Sequence, residues 1–164
     1  MLIRPATLAD AATIEDIYQY YVLTSTATYQ EVPGTLAERE TWLQSHGPQH
    51  PVLVLEMPDA GVVGWASLSP FRPRSAFRHT VEISIYLRDG WQGRSLGGSL
   101  MEQLIREARS LGHHSIIALI SQDQPASARL HARHGFKFTG CLQEVGLKFE
   151  RWLSLEMWQL LLKA

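Results

Sequence analysis

The chain has 164 residues, a formal net charge of −1 and a single cysteine, Cys141. This length suits one domain with a substantial core, so we expect a single domain over residues 1–164. The near-neutral charge excludes a strongly polyanion-binding surface, so nucleic acid is not an expected partner. One cysteine excludes an internal disulfide and a multi-cysteine zinc site. No apolar run reaches membrane-span length and the first residues lack an apolar signal segment, so we expect a cytoplasmic protein without a membrane partner.

The first part of the chain predicts a short strand followed by two helices. Residues 2–5 form the strand, and Thr7 is the expected N-cap of a helix whose apolar face includes Ile14 and Ile17. Thr35 and Glu38 have the spacing of a capping box and open the second helix. The polar, β-branched segment 24–34 between the helices predicts a loop.

The remaining elements alternate between strands and helices. Apolar, β-branched runs predict strands at the following positions: residues 52–55, 62–68, 80–87, 115–120, 136–141 and 151–162. A helical period starts at Leu96 and ends at Gly112, and a helix over residues 125–134 begins with proline. This order predicts an α/β (α+β) fold with a mixed, mostly antiparallel sheet and helices on both faces.

A strand, a glycine-rich turn and a helix start follow one another between residues 82 and 98. The first N–H groups of a helix have no intrahelical partner, and the helix dipole adds positive potential there, so this turn is a candidate phosphate site. The residues clustered in it are Gln92, Gly93, Arg94, Ser95, Leu96, Gly97 and Gly98. Taken alone, the glycines fit an ordinary tight turn better than a phosphate site, and it is the clustering of these residues just before a strong helix that favours the phosphate site.

Glu82 is the candidate general base. It alternates with apolar residues on a predicted strand, where a carboxylate faces either water or a polar cavity. In a cavity, partial burial raises its pKa towards a value useful for accepting a proton. The alternative is a solvated carboxylate on the sheet surface.

Two separated motifs resemble the GNAT N-acetyltransferases. Residues 92–98, QGRSLGG, resemble the acyl-CoA pyrophosphate loop of that superfamily. Residues 124–136, from Gln124 to Phe136, resemble its N-x-x-S-x-x-L-H/Y-x-x-x-G-F segment, and the order of elements is similar throughout. Ser95 and Gln124 depart from the usual glycine and asparagine, which puts cofactor affinity in question while leaving the fold expected.

A narrower resemblance is to the phosphinothricin and methionine sulfoximine acetyltransferases. It rests on Thr80-Val81-Glu82, on the basic aromatic loop 71–78 and on residues 145–152. The resemblance implies Glu82 as general base and His131 as general acid near the leaving thiolate. It further implies contacts to acetyl-CoA, in addition to residues 92–98, from Ile85, Tyr86, Leu87, Gln124, Ser127 and Arg133. It implies a substrate pocket formed by Tyr29, Arg72, Arg74, Phe77 and Ser84.

The function implied is acetyl transfer from acetyl-CoA to the α-amine of a small amino acid or analogue, directly, without a metal, in a homodimer. One alternative is an acyl-CoA-binding module with weak or lost catalysis, because Ser95 and Gln124 alter the donor loop. Another is N-acetylation of a protein N-terminus or a polyamine. The basic loop 71–78 favours a carboxylate-bearing substrate over a polyamine.

Overall fold

A computed structural model describes residues 1–162, and its centre is one seven-stranded sheet. The strands are β1 (Leu2–Pro5), β2 (Val52–Met57), β3 (Gly61–Pro70), β4 (Thr80–Leu87), β5 (Ser115–Ser121), β6 (Lys137–Lys148) and β7 (Arg151–Leu161). They are arranged in the order β1-β2-β3-β4-β5-β7-β6. The β4–β5 pair is parallel and the other pairs are antiparallel, which confirms the predicted mixed, mostly antiparallel sheet.

Four α-helices accompany the sheet: α1 (Ala11–Thr24), α2 (Leu36–Ser45), α3 (Leu96–Ser110) and α4 (Pro125–Arg133). The capping box of α2 is confirmed, because Thr35 Oγ1 accepts from the Glu38 N–H at 3.2 Å and Glu38 Oε2 accepts from the Thr35 N–H at 2.7 Å. Thr7 is an N-cap as predicted, and Asp10 Oδ2 accepts from its N–H at 2.8 Å, but the element that it caps is a 3₁₀ turn, Leu8–Asp10, which α1 follows directly. Within residues 1–162, the helices are too short or too polar to cross a membrane.

Helices cover both faces of the sheet, as predicted. On one face, α3 buries Leu100, Met101 and Leu104 completely against β2, β3, β4 and β5. On the other face, α1 buries Ile14 and Ile17 against strand residues that include Trp65. Successive side chains along each central strand point to opposite faces of the sheet and therefore contribute to two apolar layers, one on each face.

The strand predicted at residues 136–141 is much longer than expected, because β6 continues to Lys148. Its pairing with β7 is interrupted twice, with Glu144 at a φ of 49° in the second interruption. The following turn places Phe149 and Glu150 at φ values of 52° and 58°, the geometry of a type I′ hairpin. Such turns favour Asn-Gly or Asp-Gly, so Phe-Glu gave no sequence signal for this hairpin.

The two parallel strands diverge soon after they meet. β4 pairs with β5 only from Thr80↔Ser115 to Glu82↔Ile117, although both strands continue. Beyond Glu82, β4 stays paired with β3 as far as Leu87. One edge of its backbone is therefore open towards β5, at the centre of the sheet.

Candidate active site

A cavity of about 820 Å³ occupies the gap between the diverging strands. Its walls are the open part of β4, the facing part of β5, the first turn of α3, one side of α4 and the loop that follows α1. The loop contributes residues 26–29. Backbone groups of an unpaired strand edge and the N-terminus of a helix thus face the same space, which suits an extended ligand with an anionic end.

The turn before α3 exposes a row of backbone N–H groups. Gly93 and Ser95 both have positive φ, 76° and 62°, and α3 begins at Leu96. Ser99 donates its N–H to the Ser95 carbonyl at 3.2 Å, so the N–H groups of residues 96–98 lie before the first intrahelical bond. Gly93, Ser95, Leu96, Gly97 and Gly98 all line the cavity. This geometry can bind a phosphate.

Gly97 and Gly98 have a packing role as well. They belong to α3 rather than to the turn, and a Cβ on Gly97 would lie 3.3 Å from Leu130 Cδ2. A Cβ on Gly98 would lie 3.6 Å from the His134 ring. The two glycines therefore allow α4 to approach the start of α3, which closes this end of the cavity.

Two of the amide side chains predicted to contact acetyl-CoA are engaged within the protein. Gln92 Nε2 donates to the Tyr21 hydroxyl at 2.9 Å, and that hydroxyl donates to the Leu87 carbonyl at 2.6 Å. Gln124 Nε2 donates to Thr26 Oγ1 at 2.8 Å. Both amides line the cavity. Gln92 connects α1 to β4 through Tyr21, and Gln124 connects the loop after α1 to the start of α4.

A polar cluster ties the loop after α1 to the end of β5. Asp123 Oδ1 accepts from Thr26 Oγ1 at 2.7 Å and from Ser121 Oγ at 2.8 Å. The Tyr29 hydroxyl lies 3.0 Å from both Ser121 Oγ and the Ser154 carbonyl, which share its single proton. Because the bonds of Thr26 and Tyr29 reach residues about a hundred positions away, they fix residues 26–29 relative to β5.

Glu82 lies half-buried on the cavity wall, at the point where β4 and β5 separate. Burial raises the pKa of its carboxyl group, and the positive charge of Arg72 opposes that shift. A carboxylate with a raised pKa in a cavity is a chemically competent proton acceptor.

His131 is buried on α4 and also lines the cavity. Its Nδ1 lies 2.8 Å from the Ser127 carbonyl, and its ring packs edge-on against Phe136 at 5.0 Å. A carbonyl can only accept, so Nδ1 carries a proton and Nε2 is the nitrogen left for a ligand. Burial lowers the pKa of the imidazole, which the bond to Ser127 partly offsets.

The predicted residues divide into those that line this cavity and those that do not. Glu82 and His131 line it, and so do Ile85, Tyr86, Leu87, Gln92, Gly93, Ser95, Leu96, Gly97, Gly98, Gln124, Ser127, Arg133, Tyr29 and Ser84. Arg94 lies outside the wall, with its guanidinium carbon 4.7 Å from the centre of the Trp91 ring. Arg72, Arg74 and Phe77 are exposed on the loop after β3 and do not line the cavity.

Sequence reasoning missed the aromatic and hydroxyl groups of the α1 side. Tyr18, Tyr21 and Thr26 line the cavity, and none of the three was predicted as a site residue. The tyrosine-rich stretch of α1 was the available signal, since a tyrosine usually brings its hydroxyl to a polar partner. Within residues 1–162, histidine, cysteine, aspartate and glutamate form no group of three or more that could hold a metal ion.

Comparison with known proteins places the chain in a family. The Acetyltransferase (GNAT) family profile matches residues 14–136. An L-methionine sulfoximine/L-methionine sulfone acetyltransferase of Pseudomonas aeruginosa is 42% identical over 159 residues, which covers 96% of this chain and 92% of the relative. A phosphinothricin N-acetyltransferase of Streptomyces coelicolor is 34% identical over 160 residues, covering 96% of this chain and 94% of the relative.

A solved structure supports the same assignment. A putative acetyltransferase from Salmonella typhimurium, solved with its cofactor acetyl-CoA, superposes with a TM-score of 0.96 at 39% identity. The superposition covers 100% of this chain and 95% of the Salmonella chain. The seven-stranded sheet with its split central pair is thus the fold of this superfamily. The chain belongs to the GNAT acetyltransferase family and is an acyltransferase.

Proposed function

We propose that the protein transfers the acetyl group of acetyl-CoA to the α-amine of a small amino acid or analogue, of the methionine sulfoximine or phosphinothricin kind. The observation that carries this proposal is the position of Glu82. Its half-buried carboxylate, whose pKa is raised, lies where β4 and β5 separate. The start of α3, which can bind a phosphate, lies at the other end of the same cavity. The relatives that act on such amino acids support it.

Acetyl-CoA binds along the cavity from the α3 turn to the open strand edge. Its pyrophosphate accepts hydrogen bonds from the N–H groups at residues 93–98, and Arg94 adds positive charge beside the turn. Its pantetheine amides pair with the free backbone edge at Ile85, Tyr86 and Leu87, which adds a strand-like segment to the sheet. Gln124, Ser127 and Arg133 form the α4 side of the donor site.

The transfer needs a free amine and a leaving thiolate. Glu82 accepts a proton from the substrate ammonium, directly or through water, and the amine lone pair then attacks the thioester carbonyl. A carbon–nitrogen bond forms, the nitrogen gives up its second proton by way of solvent, and the carbon–sulfur bond breaks, while backbone N–H groups at the strand split stabilise the developing oxyanion. His131 Nε2 assists departure of the thiolate, which leaves as free CoA after protonation.

The amino acid lies on the opposite side of Glu82 from the donor. Arg72 is close enough to Glu82 to oppose the rise in its pKa, so a carboxylate held by Arg72 and Arg74 brings the neighbouring amine to Glu82. Within this loop Phe77 packs edge-on against Phe71, with their ring centres 5.8 Å apart. Tyr29 and Ser84 supply the pocket wall.

The experiment that tests the function measures CoA thiol release by the purified chain with acetyl-CoA and a panel of amines. We expect turnover with L-methionine sulfone, L-methionine sulfoximine or phosphinothricin and little with spermidine or an N-terminal peptide. Acetyl-CoA binding by calorimetry without any turnover would instead favour a binding module. Preferred turnover of spermidine or the peptide would overturn the substrate class.

We also propose a single domain in a cytoplasmic homodimer that associates through β6 and β7. The outer edge strand, β6, and its partner expose apolar side chains at Phe138, Leu142, Val145, Leu147 and Trp152. Trp152 alone is 63% exposed, and an edge strand with apolar side chains favours pairing with a second chain. Light scattering after gel filtration measures the mass, and a monomer at micromolar concentration would overturn the dimer.

A further inference from the structure

A second cavity, of about 340 Å³, lies beside the proposed active site between the sheet and α2. Its walls include Arg39 and Trp42 of α2 and Trp65 of β3, and we call it the α2 groove. It shares Tyr18, Ser84 and Tyr86 with the main cavity, so the two spaces are neighbours along one face of β4.

A buried ion pair forms one wall of the α2 groove. Arg39 Nε donates to Glu15 Oε2 at 2.8 Å, and both side chains are less than a tenth exposed. The guanidinium carbon lies 4.6 Å from the centre of the Trp42 ring and 5.6 Å from that of the Trp65 ring. The ion pair with Glu15 and the two tryptophan rings therefore hold the Arg39 guanidinium in one orientation.

Several polar groups of this wall lack partners among residues 1–162. The indole N–H of Trp65, a residue only 2% exposed, has no acceptor, and Glu15 Oε1 has no donor. The described side-chain hydrogen bonds of Arg39 use Nε and leave its terminal nitrogens without one. Unpaired buried polar groups are costly, and here donors outnumber acceptors, so the groove suits a ligand group rich in acceptor atoms.

The charge of the groove selects further among such groups. Glu15 already neutralises Arg39, and Glu38 adds a negative charge on the rim, so an anionic ligand group finds no free positive charge. A neutral group with strong acceptor oxygens avoids this repulsion and still accepts from the indole and guanidinium N–H groups.

The α2 groove is within reach of an amino acid whose amine lies at Glu82. Ser84 lies two residues along the strand from Glu82 on the same face, a separation of about 6.6 Å. Ser69 and Ser67 lie opposite Glu82 and Ser84 on β3, and both serines line the groove. A side chain of methionine length can extend along this row of hydroxyl groups into the groove.

We propose that the α2 groove is the side-chain subsite of the enzyme, in which Arg39 and Trp65 bind the oxygens of a neutral sulfone or sulfoximine group. This inference rests on the proposed function, because it takes the amine to be at Glu82. Glu15 is a specificity-determining residue in this arrangement, since its charge sets the preference for a neutral over an anionic side chain. Phosphinothricin, whose phosphinate is anionic, should therefore be a poorer substrate than L-methionine sulfoximine.

The test compares kcat/KM for L-methionine sulfone with that for L-homocysteate, whose sulfonate has similar size but a negative charge. We expect the wild type to prefer the sulfone. Glu15→Gln keeps an acceptor for Arg39 but frees its charge, and should lower the sulfone-to-homocysteate ratio about tenfold. Trp65→Phe removes one N–H donor and should lower the preference for the sulfone over L-methionine about threefold.

Asp16→Asn is the matched control, because Asp16 is the neighbour of Glu15 on α1 but is exposed and does not line the groove. It should leave both ratios within twofold of wild type. Circular dichroism checks folding, and Trp65→Phe decides the question if Glu15→Gln does not fold. Unchanged ratios in the folded variants would overturn the subsite while leaving acetyl transfer intact. A wild type that acetylates no amino acid would instead overturn the proposed function.

Discussion

The ammonium group of Lys148 donates to the carbonyl oxygen of Ser25 at 2.7 Å, joining two residues 123 positions apart in the chain. Lys148 is on β6 and only 2% exposed, whereas Ser25 is the C-cap of α1. The same ammonium donates to the Thr28 carbonyl at 2.8 Å. A positive charge at the carboxyl end of a helix is favourable, and these bonds also hold the loop that lines the proposed active site.

Lys148→Met should destabilise the protein and loosen that loop. The substitution keeps the length of the side chain but leaves buried carbonyls without a donor, which costs about 1–3 kcal/mol. Urea unfolding measures the loss. The KM for the amino acid should also rise, because the loop carries Tyr29.

Lys137→Met is the control, since Lys137 is exposed on the same strand. Its free energy of unfolding should stay within about 0.5 kcal/mol of wild type. Equal losses in the two variants would contradict the role given to Lys148.

Arg72→Ala should shift the pH profile of the enzyme as well as its substrate affinity. Burial raises the pKa of Glu82 and Arg72 lowers it, so removal of Arg72 should raise that pKa further. Glu82 acts when deprotonated, so the acidic limb of kcat/KM should move to higher pH, and Glu82→Gln should abolish it.

Arg74→Ala separates the two effects of Arg72. Both variants should raise the KM for the amino acid, but Arg74 does not contribute to the pKa shift of Glu82. The acidic limb of Arg74→Ala should therefore coincide with that of wild type. A limb that fails to move in Arg72→Ala would show that Glu82 is not the titrating base.

The fold followed from the sequence where local pattern and local structure agree. The capping box of Thr35, the period of α3 and the alternation along β4 each specify an element through neighbouring residues. The β6–β7 hairpin escaped because its turn, at Phe149 and Glu150, adopts positive φ without glycine or asparagine. That conformation is imposed by the long pairing of the two strands rather than by the turn residues.

The candidate site was predictable in its glycine turn and in Glu82, but neither its α1 side nor the neighbouring α2 groove was. Arg39 and Trp65 meet through side-chain packing between α2 and β3, which no spacing along the chain encodes. The same holds for Lys148, whose partners Ser25 and Thr28 lie 123 and 120 positions away in the sequence. Long-range polar contacts of buried groups therefore account for what sequence reasoning missed.

His131→Gln should remove an alkaline limb from the pH profile of kcat. Nδ1 donates to Ser127, so Nε2 can give a proton to the thiolate only when the ring is a cation. Burial lowers the pKa of His131 from 6.5, so the cationic form, and with it kcat, should decline as pH rises through a value below 6.5. Stopped-flow measurement of CoA release across pH tests this.

A wild-type profile without that limb would contradict the acid role of His131. In that case the neutral ring would act through its Nε2 lone pair as a hydrogen-bond acceptor. His131→Gln would then lower kcat by the same factor at every pH.

Ser95→Gly should leave the protein as stable as wild type or more stable. Ser95 has a φ of 62°, a left-handed conformation that costs an L-residue roughly 1 kcal/mol and glycine almost nothing. The greater flexibility of glycine in the unfolded chain offsets part of this gain.

Ser99→Gly, inside α3, is the control for Ser95→Gly and should destabilise the protein by about 0.5–1 kcal/mol. Urea unfolding compares the two, and equal losses would show that residue 95 does not occupy the left-handed region. Because Ser95→Gly keeps the N–H groups of the turn in place, calorimetry should find acetyl-CoA binding at least as tight as in the wild type.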